Sequence, residues 1–430
     1  MKLLFVVPCL AALFLGALAA ANQEVDSAKH WTTSWTTAPQ SWPVIIPEWV
    51  HPPPAAANPP SPAESPVRPI PEAINNQTIR MIARSAIGGT AVRVQLTNAS
   101  GNPAVVVGSL HIAQHGKGSS ILKDSDRPLT VGGRPSFEIP SGAVVVSDPI
   151  EMKVAPLTEF AVSIYIPGTV PANTVHALGL HTSYVATGDV TADDSFPAAG
   201  TNSTYFWLTG IEVLASHSAT IVALGDSITD GFMTTPDRWN TWPDQLTEQL
   251  LKRQSPIHWA VVNVGISGNR LRRDGAGLSA LARIERDVLD RPGVKWVVLF
   301  EGINDINIGA IPGAPNVERT DAESLIWAYK AIIATAHSHG IRVLGATLMP
   351  CEGIPIYSAA SESMRQTIND WIRHGAAFDT VADLDSATRD PAHPTRLRPD
   401  FDSGDHIHPN DAGTLAIARA ININRFMAGN

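Results

Sequence analysis

The hydrophobic period of this chain switches near Ser218, and that change limits the folds open to it. From Thr78 to about Ala215 the apolar residues come in short alternating runs. Ile79-Arg-Met-Ile-Ala-Arg84 and Ala91-Val-Arg-Val-Gln-Leu-Thr97 flank Gly88-Gly89 as the arms of a hairpin would, and similar runs recur at 104–107, 109–113, 143–146, 160–166 and 205–214. Side chains of a strand alternate between faces, so this pattern predicts many short half-buried strands, with Gly, Pro, Asn and Asp marking the turns. No long helical period interrupts them. The prediction is a β-sandwich, jelly-roll-like.

From Ser218 onward, apolar strands alternate with amphipathic helices. Strands are predicted at 220–224, 259–264, 296–300, 342–348 and 381–384. Helices are predicted at about 239–253, 279–290, 322–338 and 362–374, with a last one beginning near Pro409. Leu325, Ile326, Ala328, Tyr329, Ile332, Ile333 and Ala336 recur at helical spacing and form one stripe. Repeated β-α units require a parallel sheet covered by helices on both faces, with any ligand site at the carboxyl ends of the strands.

The chain therefore divides into four parts. Residues 1–21 have a short positive start, an apolar core and small residues, the pattern of a cleaved secretory signal peptide and not of a membrane anchor. Residues 22–75 read as a Pro-rich arm, since Pro52-Pro-Pro54 and Pro59-Pro60 forbid helix. Residues 76–216 form the β-sandwich and residues 217–430 the α/β unit. Localisation is expected to be extracellular or periplasmic, with no stable membrane insertion. A net charge of −9 over 430 residues, without a Lys/Arg run, argues against a nucleic-acid partner. The two cysteines are Cys9 and Cys351. Cys9 leaves with the leader, so no internal disulfide is possible and Cys351 reads as a structural thiol. Asn76, Asn98 and Asn202 begin Asn-x-Ser/Thr triplets, a frequency close to chance.

Four stretches fall just after predicted strand ends: Gly225-Asp226-Ser227, Gly265-Ile-Ser-Gly268-Asn269, Glu301-Gly302-Ile-Asn304-Asp305, and Asp402-Ser-Gly-Asp405-His406-Ile-His408. They belong on one rim of the sheet. Acyl transfer needs a serine, an imidazole to take its proton, and a carboxylate to fix the imidazole's tautomer. Ser227 can be the nucleophile, and Asp405 with His408, three apart in one loop, can meet across a turn. The oxyanion needs fixed donors, for which the Ser227 N–H, the Gly268 N–H and the Asn304 amide are the candidates.

In content and order these blocks resemble those of the SGNH (GDSL-type) hydrolases, over roughly Ser218 to the C-terminus. Gly268-Asn-Arg-Leu271 and Asp402-Ser-Gly-Asp405 look closest to its secreted branch with an N-terminal β-domain. The resemblance implies a three-layer α/β/α fold, with Ser227, His408 and Asp405 as triad and Ser227, Gly268 and Asn304 as oxyanion hole. Asp226 and Asp305 are expected to support the site by bonding turn N–H groups. The block spacing favours His408 over His406 and Asp405 over Asp402. Arg270, Arg272 and Arg273 read as a salt-bridged or solvated loop. His337 and His339 read as helix-end residues. His393, His406 and His408 lack zinc-ligand spacing, so no metal and no organic cofactor are expected.

The activity expected is that of a secreted serine esterase acting on small-molecule or polysaccharide esters, with a lean to short acyl groups because small residues flank the blocks. The rivals are a lipase or lysophospholipase for longer chains, and a carbohydrate-binding protein on a degenerate hydrolase scaffold.

Overall fold

The computed structural model describes residues 28–44, 70–101, 103–311, 315 and 318–427. The segment read as a leader, and most of the Pro-rich stretch, lie outside these residues.

Before Ser218 the strands are antiparallel and form two principal sheets. One runs in the order His30–Thr36, Leu208–Ala215, Gly89–Thr97, Val144–Val146, with Ile150–Val154 also paired to Gly89–Thr97. The other runs Gly200–Asn202, Ser183–Thr187, Gln77–Arg84, Glu159–Ile166, Ser109–Gln114, Arg127–Pro128. Val92, Val94, Leu96, Ile211 and Val213 of the first sheet join Ile79, Met81, Phe160, Val162 and Ile112 of the second in one buried cluster. Two sheets that each present an apolar face must cover those faces, and here they cover each other.

After Ser218 the sheet is parallel and five-stranded, in the order His258–Asn263, Ser218–Gly225, Val294–Phe300, Arg342–Ala346, Thr380–Ala382. The strand Ser218–Gly225 is buried along its whole length, as a strand covered on both faces must be. The helix Ala322–Ser338 buries the predicted stripe through Leu325, Ala328, Tyr329, Ile332, Ile333 and Ala336. The segment predicted as one helix over 279–290 is α-helical over Ala280–Ile284 and widens to a π-turn over Glu285–Leu289.

Two expectations change. The arm over 22–75 does not begin as irregular chain, because His30–Thr36 pairs with Leu208–Ala215 in register His30↔Ala215. Its Trp-Thr-Thr-Ser-Trp run supplies residues that suit a pleated surface. The run predicted over 205–214 divides into Tyr205–Phe206 and Leu208–Ala215, which pair in different sheets, with Trp207 between them at φ 55°.

The two regions share a single buried cluster. Thr33 N–H donates to the Pro292 carbonyl at 2.9 Å, and Thr220 Oγ1 donates to the Thr33 carbonyl at 2.9 Å. The first strand thus closes the β region and lies against the parallel sheet. Among the described residues, no helix is long and apolar enough to cross a membrane.

Candidate active site

The strand Ser218–Gly225 ends at a glycine that no other residue could replace without movement. A Cβ on Gly225 would lie 2.4 Å from the Phe300 carbonyl oxygen and 2.1 Å from Thr229 Oγ1. This contact between neighbouring strand ends forces a sharp turn, and the short helix Ser227–Asp230 begins at once. Asp226 caps that helix, its Oδ1 accepting from Ile228 N–H at 3.0 Å. Gly231 ends it in the left-handed region at φ 105°, where glycine carries no Cβ penalty.

Ser227 Oγ lies 2.8 Å from His408 Nε2. The other ring nitrogen, Nδ1, lies 2.6 Å from Asp405 Oδ2. The second carboxylate oxygen of Asp405 accepts from the backbone N–H groups of Ile407 at 3.1 Å and His408 at 2.8 Å. The loop therefore folds around its own carboxylate. Burial works against the charge of Asp405, but the hydrogen bond from His408 outweighs it and holds the carboxyl at about 2. Nδ1 accordingly carries the hydrogen and donates it, which leaves Nε2 free to accept from Ser227. Phe232 meets the His408 ring edge-on, with centroids 4.7 Å apart.

Gly268 sits at φ 79°, a left-handed conformation in a loop whose Ala276 methyl would stand 3.1 Å from any Cβ placed there. Asn304 belongs to the helix Ile303–Gly309, after Gly302 at φ 120°. One N–H of its amide donates to the Asn269 carbonyl at 2.9 Å, and the amide nitrogen has a second N–H to offer. Ser227, Gly268 and Asn304 follow the first, second and third strand ends in chain order. The parallel register Gly225↔Phe300 brings two of those ends side by side.

Asp305 was expected to brace its own turn. Instead its oxygens accept from Leu271 N–H at 2.7 Å and Arg272 N–H at 3.3 Å, across from another loop. Burial raises Asp305 to about 6. It also raises Asp226 to about 7 and pushes Glu301 well above the ordinary carboxylate range, with the charge of Asp226 adding to it. Buried Arg283 ties these pieces together. It donates to the Gly225 carbonyl at 3.0 Å, the Val264 carbonyl at 2.6 Å, Asn269 Oδ1 at 3.0 Å and Asp287 at 3.1 Å.

His406 does not share in the Ser227 contact; it pairs with Asp402 at 2.7 Å and is half exposed. Arg270 is paired with Glu318 at 2.5 Å, and Arg272 bonds Thr320 at 3.1 Å. Cys351 is buried beside Ile303 and Ile354, and burial raises its thiol to about 11. His337 pairs with Asp379 at 2.8 Å, and His339 Nδ1 lies 3.0 Å from the Thr335 carbonyl. Asn98 and Asn202 are buried, so neither can carry a glycan in the folded chain. Among the described residues, no cluster of three or more His, Cys, Asp or Glu side chains is arranged to hold a metal ion.

Residues that local sequence pattern did not mark are His176, Gln40 and Asp230. His176 Nε2 lies 3.0 Å from Asp230 Oδ1, and the Gln40 amide donates to the Ala276 carbonyl at 2.6 Å. Both partners from the β region are far away in the chain.

Residues 223–416 match the model of the GDSL-like Lipase/Acylhydrolase family. No curated protein matches the chain. Among solved structures, it is similar to a putative lipolytic protein of the G-D-S-L family from Desulfitobacterium hafniense, at 20% identity over 47% of this chain and 99% of that one, TM-score 0.36. It is also similar to the acetylxylan esterase Axe2 from Geobacillus stearothermophilus, at 20% identity over 48% and 93%, TM-score 0.37. A third likeness is to a putative acylhydrolase from Bacteroides fragilis, at 19% identity over 49% and 88%, TM-score 0.36.

Proposed function

Since the C-terminal half of this chain is a GDSL-like lipase/acylhydrolase domain of the SGNH type, preceded by an all-β region, we propose that it is a serine esterase cleaving carboxylic esters through an acyl-enzyme. The observation that carries this reading is the unbroken chain Ser227 Oγ–His408–Asp405, with links of 2.8 and 2.6 Å.

Ser227 Oγ attacks the ester carbonyl as its proton passes to His408 Nε2. The imidazolium is stabilised by Asp405, which stays ionised. The negative charge that gathers on the carbonyl oxygen is met by the N–H groups of Ser227 and Gly268 and the free N–H of Asn304. These donors are fixed before the substrate arrives, so no reorganisation is needed when the charge develops. Collapse of the tetrahedral species breaks the bond to the alcohol, which leaves with the proton from His408. Water then repeats the sequence on the Ser227 ester, giving up a proton to His408 and releasing the acid with Ser227 restored. Asp226 and Asp305 support the site from behind, through backbone N–H groups. The steps need no metal or organic cofactor.

Short acyl groups, such as acetyl esters of carbohydrates or small alcohols, are the preferred class. Small residues flank the site blocks in the chain: Gly265, Gly268, Ala276 and Gly302. The enzyme acts outside the cytoplasm after loss of Met1–Ala21, and the mature N-terminus read from purified protein tests that point.

The test is hydrolysis of p-nitrophenyl acetate, butyrate, octanoate and palmitate by the full chain and by Ser227→Ala. Serine-dependent rates falling with chain length support the short-acyl esterase. Rates that rise toward octanoate or palmitate transfer the assignment to a lipase. Activity undiminished in Ser227→Ala overturns the mechanism.

A further inference from the structure

Beside the contacts of its first strand with Ser218, Thr220 and Pro292, the β region touches the hydrolase half in two further ways. One set of contacts ends on the helix Trp242–Leu251 or the loop before it. Arg84 pairs with Asp244 and Glu248, Trp239 donates to Glu159, and Thr182 bonds Asp237. These join two bodies and do not reach the rim where the reacting groups stand.

The second set converges on the loop that carries Gly268. His176 lies on the strand Thr174–His176 of the β region and is buried, as is Asp230 at the end of the helix that begins with Ser227. His176 Nδ1 faces the Ala38 carbonyl at 2.9 Å, while Nε2 faces the Leu178 carbonyl at 3.1 Å and Asp230 Oδ1 at 3.0 Å. Carbonyl and carboxylate oxygens only accept, so both ring nitrogens donate and the ring is an imidazolium. Burial opposes that charge, but Asp230 outweighs it and raises the ring's affinity for its proton. The other oxygen of Asp230 accepts from Ser267 N–H at 2.7 Å and Ser267 Oγ at 2.8 Å. Ser267 is the residue before Gly268.

A parallel strut runs through Gln40. Its carbonyl oxygen accepts from Ala177 N–H at 3.1 Å, next to His176, and its amide donates to the Ala276 carbonyl at 2.6 Å. Ala276 is the residue whose methyl limits the space at Gly268. The loop is held on both sides by side chains of the β region.

We propose that His176 is a positioning residue for the oxyanion loop, acting through Asp230 on Ser267 and so on the Gly268 N–H. The β region is then part of the acyl-transfer apparatus rather than only a brace or a binding module. This rests on the serine-esterase reading above. Removing the ring's N–H donor leaves one oxygen of buried Asp230 without that bond and frees the Ser267-Gly268 turn to shift. A displacement of about 1 Å at such a site costs on the order of 100-fold in rate.

The test uses the full chain with His176→Phe, which keeps an aromatic ring without donors, and His176→Gln, whose amide can still donate to Asp230. On p-nitrophenyl acetate, His176→Phe is expected to lose about 10–100-fold in kcat with KM within about twofold, while His176→Gln recovers most of the loss. Inactivation by a p-nitrophenyl phosphonate, whose adduct places an oxygen in the same hole, should slow in step with kcat. If His176→Phe does not fold, Asp230→Asn takes its place, because its amide cannot accept from Ser267 on one side without losing the imidazolium on the other. Unchanged kcat in folded variants overturns the proposal. So does an equal loss in the Phe and Gln variants, or a change in KM alone. Ser227→Ala run alongside separates the two readings: if it stays active, the esterase mechanism fails, whatever His176 does.

Discussion

Asn304 donates one amide N–H to the carbonyl of Asn269, at 2.9 Å, and this bond joins the third strand end to the second. The side chain thus holds Gly268's loop while leaving its remaining N–H for an oxyanion. Asn304→Ala removes both services. The expected result is a kcat lower by about 10²–10³, equivalent to about 2.7–4 kcal/mol of transition-state stabilisation. Steady-state kinetics on p-nitrophenyl acetate check it, and KM should move little because the charge appears only in the transition state. A large rise in KM with kcat intact would assign Asn304 to ground-state binding instead.

Asp405→Asn keeps the size of the side chain and removes its charge. The amide can present an N–H to His408 Nδ1, which turns the ring to the tautomer that cannot accept from Ser227. We expect kcat to fall by about 10⁴ with the melting temperature little changed, read by stopped-assay kinetics and thermal unfolding on the same preparation.

Arg283 and Asp287 lie 3.1 Å apart and both are wholly buried. Arg283→Met strips Asp287 of one of its cations and removes a donor from the Gly225 and Val264 carbonyls. Breaking a buried pair from one side costs about 3–5 kcal/mol. Urea unfolding should show a midpoint lowered accordingly, and an unchanged midpoint would mean that the other arginines near Asp287 take over its charge.

Glu159 spans the two regions, since it pairs with His115 at 2.8 Å and accepts from Trp239 Nε1 at 2.7 Å. The hydrogen bond from His115 outweighs burial and holds Glu159 at about 2 against an ordinary 4.5. That stabilisation is present above 4.5 and is lost as pH falls toward 2. His115 is burdened by burial, but Glu159 more than offsets this and raises it above 6.5. Its share is full below 6.5 and is lost as pH rises through the raised value. The gap in melting temperature between the native chain and Glu159→Gln should therefore be widest between pH 4.5 and 6.5 and narrow on either side. A gap constant from pH 3 to pH 8 would show that the charge contributes nothing.

Where sequence distance is short, the site was legible. Asp405 and His408 are three residues apart and share a loop, so their spacing in the chain is already their spacing in space. Gly225 announces its turn because only glycine fits beneath the Phe300 carbonyl. The parallel sheet follows from apolar runs that are buried on both faces. The fold also contains features with no local pattern. Asp305 bonds residues 34 and 33 positions away, and no neighbour of Asp305 records that choice. Trp207 breaks one apparent strand into two by taking a positive φ that its side chain disfavours. His176 reaches Asp230 across 54 positions, so its role appears only when the two regions are folded together.

The strand His30–Thr36 has a consequence for how the chain is made. Thr33 and Thr220, which bond each other, are 187 positions apart. The first strand leaves the ribosome early but has no place to settle until Leu208–Ala215 and the start of the parallel sheet have followed it. Closing so long a loop is paid in chain entropy before any contact rewards it. The β region therefore cannot complete its sheet until Leu208–Ala215 has been made, and the contacts of Thr33 wait for Thr220 and Pro292 beyond it.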